Sequence, residues 1–478
     1  MKNFLSGLIT QKLGHQPTQG QMEMIDLLAA YITGSNSASD EVFLLKGYAG
    51  TGKTSTISAL VKVLDDLKIN FVLLAPTGRA AKVLSNQSGK FASTIHKKIY
   101  RQQSGADGTA KFSLDRNLSK NTIFIIDEAS MISNLPQDQN IFGSGYLLSD
   151  LFSYVSGGFN CKLIISGDTA QLPPVGLTMS PALETEELEL FSVAVTSMEL
   201  TEVVRQSSQS GILENATFIR NRISDESAKG FWPVRTAMYK DVFLLGGDQL
   251  IEEISNCYRQ LGMEETIIIT RSNKRANLFN EGIRKSILYM EDQLVRGDLL
   301  MVVKNNYHWS AQLKELDFIA NGDIAEVVRI KKREERYGFN FANVVLRLID
   351  YENLEVDCKI LLEALQVEAP ALSQEENKRL FEAVSEDYQE IRNKRERWNK
   401  IREDPYFNAL QVKYSYAVTC HKAQGGQWKA VFLDHGYLTA DMINRDFMRW
   451  LYTAFTRAEE RLYLVNFHKE FLSEEIKS

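Results

Sequence analysis

Gly47-Tyr48-Ala49-Gly50-Thr51-Gly52-Lys53-Thr54 matches G-x-x-x-x-G-K-[ST] at every fixed position, and it constrains the fold more than any other stretch of the chain. The pattern works only as a turn between a buried strand and a helix N-terminus, where backbone N–H groups close around phosphates. The flanks comply: Val42–Lys46 is a short apolar run, and Ser55–Leu64 is patterned as a helix. Lys53 is placed to neutralise the β- and γ-phosphates, and the Thr54 hydroxyl suits Mg²⁺. The expected nucleotide-binding set is Gly47, Gly50, Thr51, Gly52, Lys53, Thr54 and Ser55.

Further apolar runs follow at Phe71–Ala75, Thr122–Ile126, Lys162–Ser166 and Ser192–Leu200, separated by helical stretches. Near-continuous apolar strands alternating with helices predict an α/β fold whose parallel sheet is covered on both faces. Asp127-Glu128 closes the third of these five strands, where open α/β sheets bind ligands. Asp127 is the expected Mg²⁺ ligand and Glu128 the general base that polarises an attacking water. Downstream of a complete phosphate loop, hydrolysis of ATP or GTP is the expected chemistry.

The rhythm resumes at Glu265–Thr270, Tyr414–Val418, Ala430–Asp434 and Arg461–Asn466, and residues 305–408 interrupt it. There, Asp323–Ile330, Asn343–Ile349 and Glu352–Ile360 predict antiparallel strands of a small β-barrel. Val384, Tyr388, Ile391, Arg395 and Trp398 recur at the spacing of one long amphipathic helix over Ser373–Arg402. Arg101–Lys120, rich in Gly, Ser and Asp, predicts a protruding hairpin.

The chain has 478 residues, enough for two to four domains, and a formal net charge of −6. That charge argues against a general nucleic-acid coat and leaves a local basic track open. Cys161, Cys257, Cys358 and Cys420 lie far apart without metal-ligand spacing, so neither a zinc site nor a disulfide framework is expected. No signal-type start is evident, and no apolar run reaches the roughly 18–20 residues of a membrane span. A soluble protein of the cytoplasm is expected.

Seven segments in fixed order narrow the reading. They are Ala75–Lys82, Ser93–Lys97, Asp127–Met131, Gly167–Gly176, Leu200–Gln206, Val418–Gly425 and Leu451–Ala458. Together with the phosphate loop they resemble superfamily 1 helicases of the RecD/Dda-like, 5′→3′ branch. The resemblance implies two RecA-like parallel-sheet lobes with a pin hairpin and a β-barrel inserted. Residues 1–205 then form the first lobe with the pin at 97–120, residues 206–304 and 409–478 the second, and 305–408 the insertion.

The resemblance also implies roles. Gln21 reads the adenine edge, the alternative being a polar helix-start residue. Gln171 senses the γ-phosphate, and Arg205 and Arg457 reach it when the lobes close, a kind of contact typically worth about 10³–10⁵ in rate. Thr77, Thr94, His96, Thr270, Thr419 and His421 contact the DNA backbone. Gly78 stands where many relatives place a base-stacking histidine, so Arg79 or Lys82 substitutes. Phe112 either caps the parting base pair or packs under its hairpin.

The expected activity is ATP- and Mg²⁺-dependent translocation on single-stranded DNA with strand separation at single-strand/duplex junctions. The rival is a translocase subunit of a recombination or repair complex that does not unwind by itself. An inactive nucleotide-binding scaffold is a third reading, disfavoured by the complete catalytic set. RNA is not excluded as a track. The chain is expected to be a monomer, with a single-strand-binding protein or repair complex as partner.

Overall fold

The computed structural model describes residues 1–472 apart from 105–109, 137–141, 204–209, 226–227, 311–312, 314–315, 317, 350 and 352–353. The first lobe carries β1 (Glu41–Gly47), β2 (Asn70–Ala75), β3 (Ala92–Thr94), β4 (Tyr100–Ser104), β5 (Ala110–Leu114), β6 (Thr122–Ile126), β7 (Lys162–Gly167) and β8 (Ala194–Leu200). Six of them form one parallel sheet in the order β3-β2-β6-β7-β1-β8, and β4 and β5 pair as a hairpin.

The strand sequences explain the layering. Successive side chains on a strand face opposite ways. Accordingly Phe43, Leu45, Ile123, Ile125 and Ile164 enter one core, with Leu28, Leu60 and Leu64 of the helices Gln19–Thr33 and Lys53–Asp66. Val42, Leu44, Phe124, Ile126, Leu163 and Ile165 enter the other, with Leu148, Leu151 and Val155 of the helix Leu147–Ser156. A strand apolar at every position is thus satisfied only by two covering layers.

The second lobe is a parallel sheet of β9 (Val242–Leu245), β10 (Thr266–Thr270), β16 (Ala417–Thr419), β17 (Trp428–Asp434) and β18 (Ala458–Val465), ordered β16-β10-β17-β18-β9. Between its halves β11 (Leu299–Val302), β12 (Ile324–Arg336), β13 (Phe339–Leu348), β14 (Leu354–Leu361) and β15 (Leu410–Tyr414) close into a barrel. Two details differ from the sequence expectation. The barrel takes its first and last strands from outside 305–408, because β11 pairs with both β12 and β15. The single strand expected at Tyr414–Val418 is divided: Ser415 N bonds Leu299 O in the barrel, and Tyr416 O accepts from Ile268 N in the lobe sheet. An apolar run does not say which sheet it serves.

The long helix expected over Ser373–Arg402 is two helices, Gln374–Glu386 and Lys394–Glu403. Ser373 starts the first with a capping box, and Asn393 caps the second by accepting from Arg395 N and Glu396 N. Both bury apolar residues against Phe339 and Phe341, Leu380 and Val384 from the first and Ile401 from the second. Spacing that keeps one face apolar reads straight through such a break.

Barrel and second lobe are joined by a buried ion pair. Arg284 Nε and a terminal guanidinium nitrogen donate to Asp298 at 2.8 and 3.0 Å, and Asp298 also accepts from Val295 N and the Tyr416 hydroxyl. Among the described residues no helix is long and apolar enough to cross a membrane, no acidic, His or Cys cluster is arranged for a metal, and the four cysteines are free and buried. Removing one partner of a buried pair leaves the other charge uncompensated. Arg284→Met is therefore expected to cost about 3–5 kcal/mol in urea denaturation, and a loss under 1 kcal/mol would show the pair to be dispensable.

Candidate active site and polynucleotide track

β6, β7 and β1 lie side by side in the first sheet, so the loops leaving their carboxyl ends converge. The loop after β1 is the phosphate cradle. Gly50 and Gly52 hold φ of +76° and +83°, which L side chains rarely adopt, and Gly52 starts the helix Lys53–Asp66. A Cβ on Gly47 would lie 3.0 Å from both Leu200 and Lys53. Thr51 is fully buried and donates to Tyr48 O at 2.8 Å. Lys53 Nζ folds back to the Gly47 and Tyr48 carbonyls, while Thr54 is half-buried and Ser55 exposed in the first helical turn.

Gln21 lies beneath this loop, fully buried. Its Oε1 accepts from Thr18 N and its Nε2 donates to Thr51 O, both at 3.0 Å. Gln21 thus serves the helix start and ties it to the loop, and each atom of its amide keeps one further lone pair or proton.

Asp127, at the end of β6, accepts from Ser166 Oγ at 2.9 Å. Glu128 takes a left-handed φ of +56°, unusual for a side chain with a Cβ. Burial raises its carboxyl above the ordinary range; Arg457, Lys53 and a hydrogen bond from Gln171 oppose the rise, and Asp127 adds to it. Gln171 Oε1 is buried without a hydrogen-bond partner. A buried acceptor left this way costs free energy unless a donor arrives, so it suits a group supplied with substrate, such as a water.

The second lobe supplies Arg457, 3% exposed, with a terminal nitrogen 4.0 Å from Glu128 Oε1. Its guanidinium donates to Thr453 O, Gly426 O and Thr456 Oγ1 at 3.1–3.3 Å. Lys53, Asp127, Glu128, Gln171 and Arg457 are thus brought to one cleft. Arg205 lies outside the described residues.

The expected track residues sit elsewhere, at one edge of each sheet. Thr77 and Thr94 follow β2 and end β3, which are neighbours, and Thr270 pairs in register with Thr419. The two edges meet: a Cβ on Gly425 would lie 2.7 Å from Ala80 and 3.3 Å from the Thr77 hydroxyl. Thr77 and Thr94 cap helices by accepting from Ala80 N and Lys97 N. Thr270 is fully buried and donates to Ser272 O, which makes it a strand-end tie and not an exposed phosphate contact. Thr419 is half-buried, and His421 is exposed. His96 packs 4.9 Å from the Phe142 ring, and burial drops it to about 4, so it is neutral near pH 7.

Arg79 stacks on Trp428 at 4.8 Å and Lys82 donates to Ile349 O, so both cations bear on the second lobe and barrel. Gly78 has a steric reason. A Cβ there would lie 2.8 Å from Asp323 Oδ1 of the barrel, leaving no room for a histidine. Phe112 does not stand ready to cap a base pair. It is 3% exposed and packs on Phe142, Tyr307 and Phe318, which ties the hairpin to the barrel insertion. Asp168 and Tyr452, buried in the cleft, lie within Gly167–Gly176 and Leu451–Ala458; nothing in their spacing marks them.

The AAA domain family matches residues 29–228, and the UvrD-like helicase C-terminal domain matches 414–465. The chain is 26% identical to the ATP-dependent RecD2 DNA helicase of Deinococcus radiodurans, covering 89% of this chain and 47% of that protein. It is 27% identical to the ATP-dependent DNA helicase dda of Enterobacteria phage T4, covering 54% and 55%. It thus spans about half the length of these two relatives. An uncharacterized protein, R530 of Acanthamoeba polyphaga mimivirus, is 26% identical with 89% and 96% covered. The Bacteroides Pif1 helicase in complex with ADP-AlF3 and ssDNA superposes with a TM-score of 0.45 at 15% identity, covering 96% and 94%. The P-loop cleft and the matched sequences define the class: a P-loop NTPase with two parallel-sheet lobes. Within that class the chain is similar to the RecD2 and dda DNA helicases, and its carboxyl-terminal segment to the UvrD-like helicase C-terminal domain.

If Phe112 works by packing, a large apolar replacement suffices. Phe112→Leu is expected to keep at least about half of any strand-separating activity, whereas Phe112→Ala loses about 3–5 kcal/mol of stability. A folded Phe112→Leu protein without unwinding in a forked-duplex assay would restore the base-capping role.

Proposed function

We propose that this chain is an ATP-dependent motor that travels 5′→3′ on single-stranded DNA and separates strands at single-strand/duplex junctions. The observation that carries the reading is the meeting of Arg457 with Glu128 and Gln171, groups of different lobes facing one phosphate cradle. Nucleotide held there bridges the lobes, so its cleavage alters how they sit.

Each group has a physical task. Lys53 and the loop amides bind the phosphates, and Thr54 and Asp127 hold the Mg²⁺ that accompanies the nucleotide and offsets phosphate charge. Glu128 takes the proton of the attacking water, and the unpaired Gln171 Oε1 orients that water. Arg457, with Arg205 as a second arginine, offsets charge on the transferring phosphoryl oxygens. Thr77, Thr94, Thr419 and His421 line the proposed backbone track at the adjoining sheet edges, with Thr270 buttressing it. Direction and substrate follow the RecD/Dda-like resemblance. A monomer acting with a single-strand-binding protein or a repair complex fits this reading.

Burial of Phe112 favours a second reading, a translocase that does not itself unwind. Deleting residues 101–120 separates the two, since only the unwinding motor loses strand separation while keeping ATP turnover. The primary test is ATP turnover with and without single-stranded DNA or RNA. Strong stimulation by DNA, abolished by Lys53→Ala, is expected; equal turnover with and without any strand refutes the motor. On tailed duplexes, unwinding of the 5′-tailed substrate is expected, and activity confined to the 3′-tailed one overturns the direction.

Glu128 must be ionised to accept a proton, and its carboxyl is raised. Turnover should therefore rise with pH along a limb lying above the ordinary carboxylate range of about 4.3. Arg457 pulls that carboxyl down, so Arg457→Gln should move the limb to still higher pH besides lowering kcat. A pH profile in which the limb stays put or moves down in Arg457→Gln removes Glu128 as the base.

A further inference from the structure

Tyr452 sits on the second-lobe helix Arg445–Phe455, 1% exposed, yet its hydroxyl is bonded on both sides to the first lobe. It accepts from Ala49 N of the phosphate loop at 2.8 Å and donates to Asp168 Oδ2 at 2.7 Å. Asp168 directly follows β7, is itself buried, and accepts from Ala170 N on its other oxygen at 2.9 Å. Burial pushes the phenol well above its usual value, so the proton stays on the oxygen and is donated. Adjacent second-lobe side chains grip the same segment. Thr453 Oγ1 accepts from Leu172 N at 2.8 Å, and Gln424 Nε2 donates to Leu172 O at 2.7 Å.

Two first-lobe loops are thereby spanned by one atom of the other lobe. One loop carries Lys53, four residues on from Ala49; the other carries Gln171, three residues on from Asp168. A half-buried N–H gains from a partner, and a buried carboxylate requires one. When the lobes meet, the phenol serves both; when they part, water replaces it. The separation of the two loops is therefore tied to lobe closure through this hydroxyl.

We propose that Tyr452 is a positioning residue for nucleotide hydrolysis, whose hydroxyl sets the phosphate loop and the Gln171 segment in register only in the closed arrangement of the lobes. This rests on the nucleotide-hydrolysis reading above, and it assigns to the second lobe a task separate from the charge that Arg457 supplies. Tyr452→Phe keeps the ring and its packing but leaves Ala49 N–H and Asp168 without that partner, which penalises the closed arrangement and not the open one.

The test uses the full chain. ATP turnover of Tyr452→Phe is measured with and without single-stranded DNA. Lobe closure is followed by energy transfer between dyes on Phe91→Cys and Tyr437→Cys, both 80% exposed on different lobes, the native cysteines being buried. ADP with aluminium fluoride is the closing probe. A fall in kcat of about tenfold, the scale of one hydrogen bond to a charged acceptor, is expected with KM for ATP within about threefold. The probe concentration needed for closure should rise by about the same factor. Thr453→Val, which leaves the phenol bonds in place, should close more readily than Tyr452→Phe.

Three outcomes overturn the proposal: turnover and closure of Tyr452→Phe within about twofold of wild type, a lower kcat with closure unchanged, or losses that merely track the fraction of folded protein. Absence of any DNA stimulation in the wild type is a different failure. It removes the motor reading, while DNA-free turnover and closure still decide Tyr452.

Discussion

Arg457 facing Glu128 across the seam between the lobes is the contact on which the rest of the site depends. A guanidinium that is almost fully buried must be surrounded by acceptors, because desolvation costs more than one loose ion pair returns. Thr453 O, Gly426 O and Thr456 Oγ1 provide them, so the direction of the side chain is fixed by a helix end and a turn of its own lobe. On the other side, Glu128 is aimed by a left-handed backbone. At 4.0 Å the pair is slacker than Arg284 with Asp298 at 2.8 Å. One pair holds a fold together; the other leaves both partners room for a third group.

Sheet order determines what can surround that contact. The loops after β6, β7 and β1 share one stretch of sheet edge, which brings Asp127, Asp168 and the phosphate loop together although they are far apart in sequence. β2 and β3 lie at the far side of the same sheet, and β10 and β16 at the corresponding side of the second. Cleft and track are therefore separate places in each lobe, joined through the strands and helices between them.

Much of this was legible in the sequence, for identifiable reasons. Strands such as Thr122–Ile126 are apolar at every position because both faces are covered, and the phosphate loop has few conformations open to it. Legibility failed where one residue type serves two structures. The apolar run at Tyr414–Val418 supplies barrel and lobe sheet alike, and the helical spacing over Ser373–Arg402 hides the break before Asn393. It failed again where a partner is distant in sequence. Phe112 is buried by Tyr307 and Phe318, Thr270 by the strand beside it, and Gly78 is explained by Asp323 of the barrel. Tyr452 and Asp168 belong to the same class, since only folding places them on one hydroxyl.

The helix Gly78–Ser88 borders both the second lobe and the barrel. At its start Gly78 leaves room for no Cβ beside the barrel carboxylate of Asp323, Arg79 lies on Trp428 of the second lobe, Lys82 bonds the barrel at Ile349, and a Cβ on Gly425 would meet Ala80. A single first-lobe helix thus bears on both other bodies, directly after Thr77 at the track edge. Gly425 begins the turn whose next residue, Gly426, anchors Arg457. The turn that borders the first-lobe side of the track therefore also supplies one of the acceptors that hold Arg457 in the cleft. The seam is close-packed at this turn, since a Cβ added at Gly425 would come within 2.7 Å of Ala80.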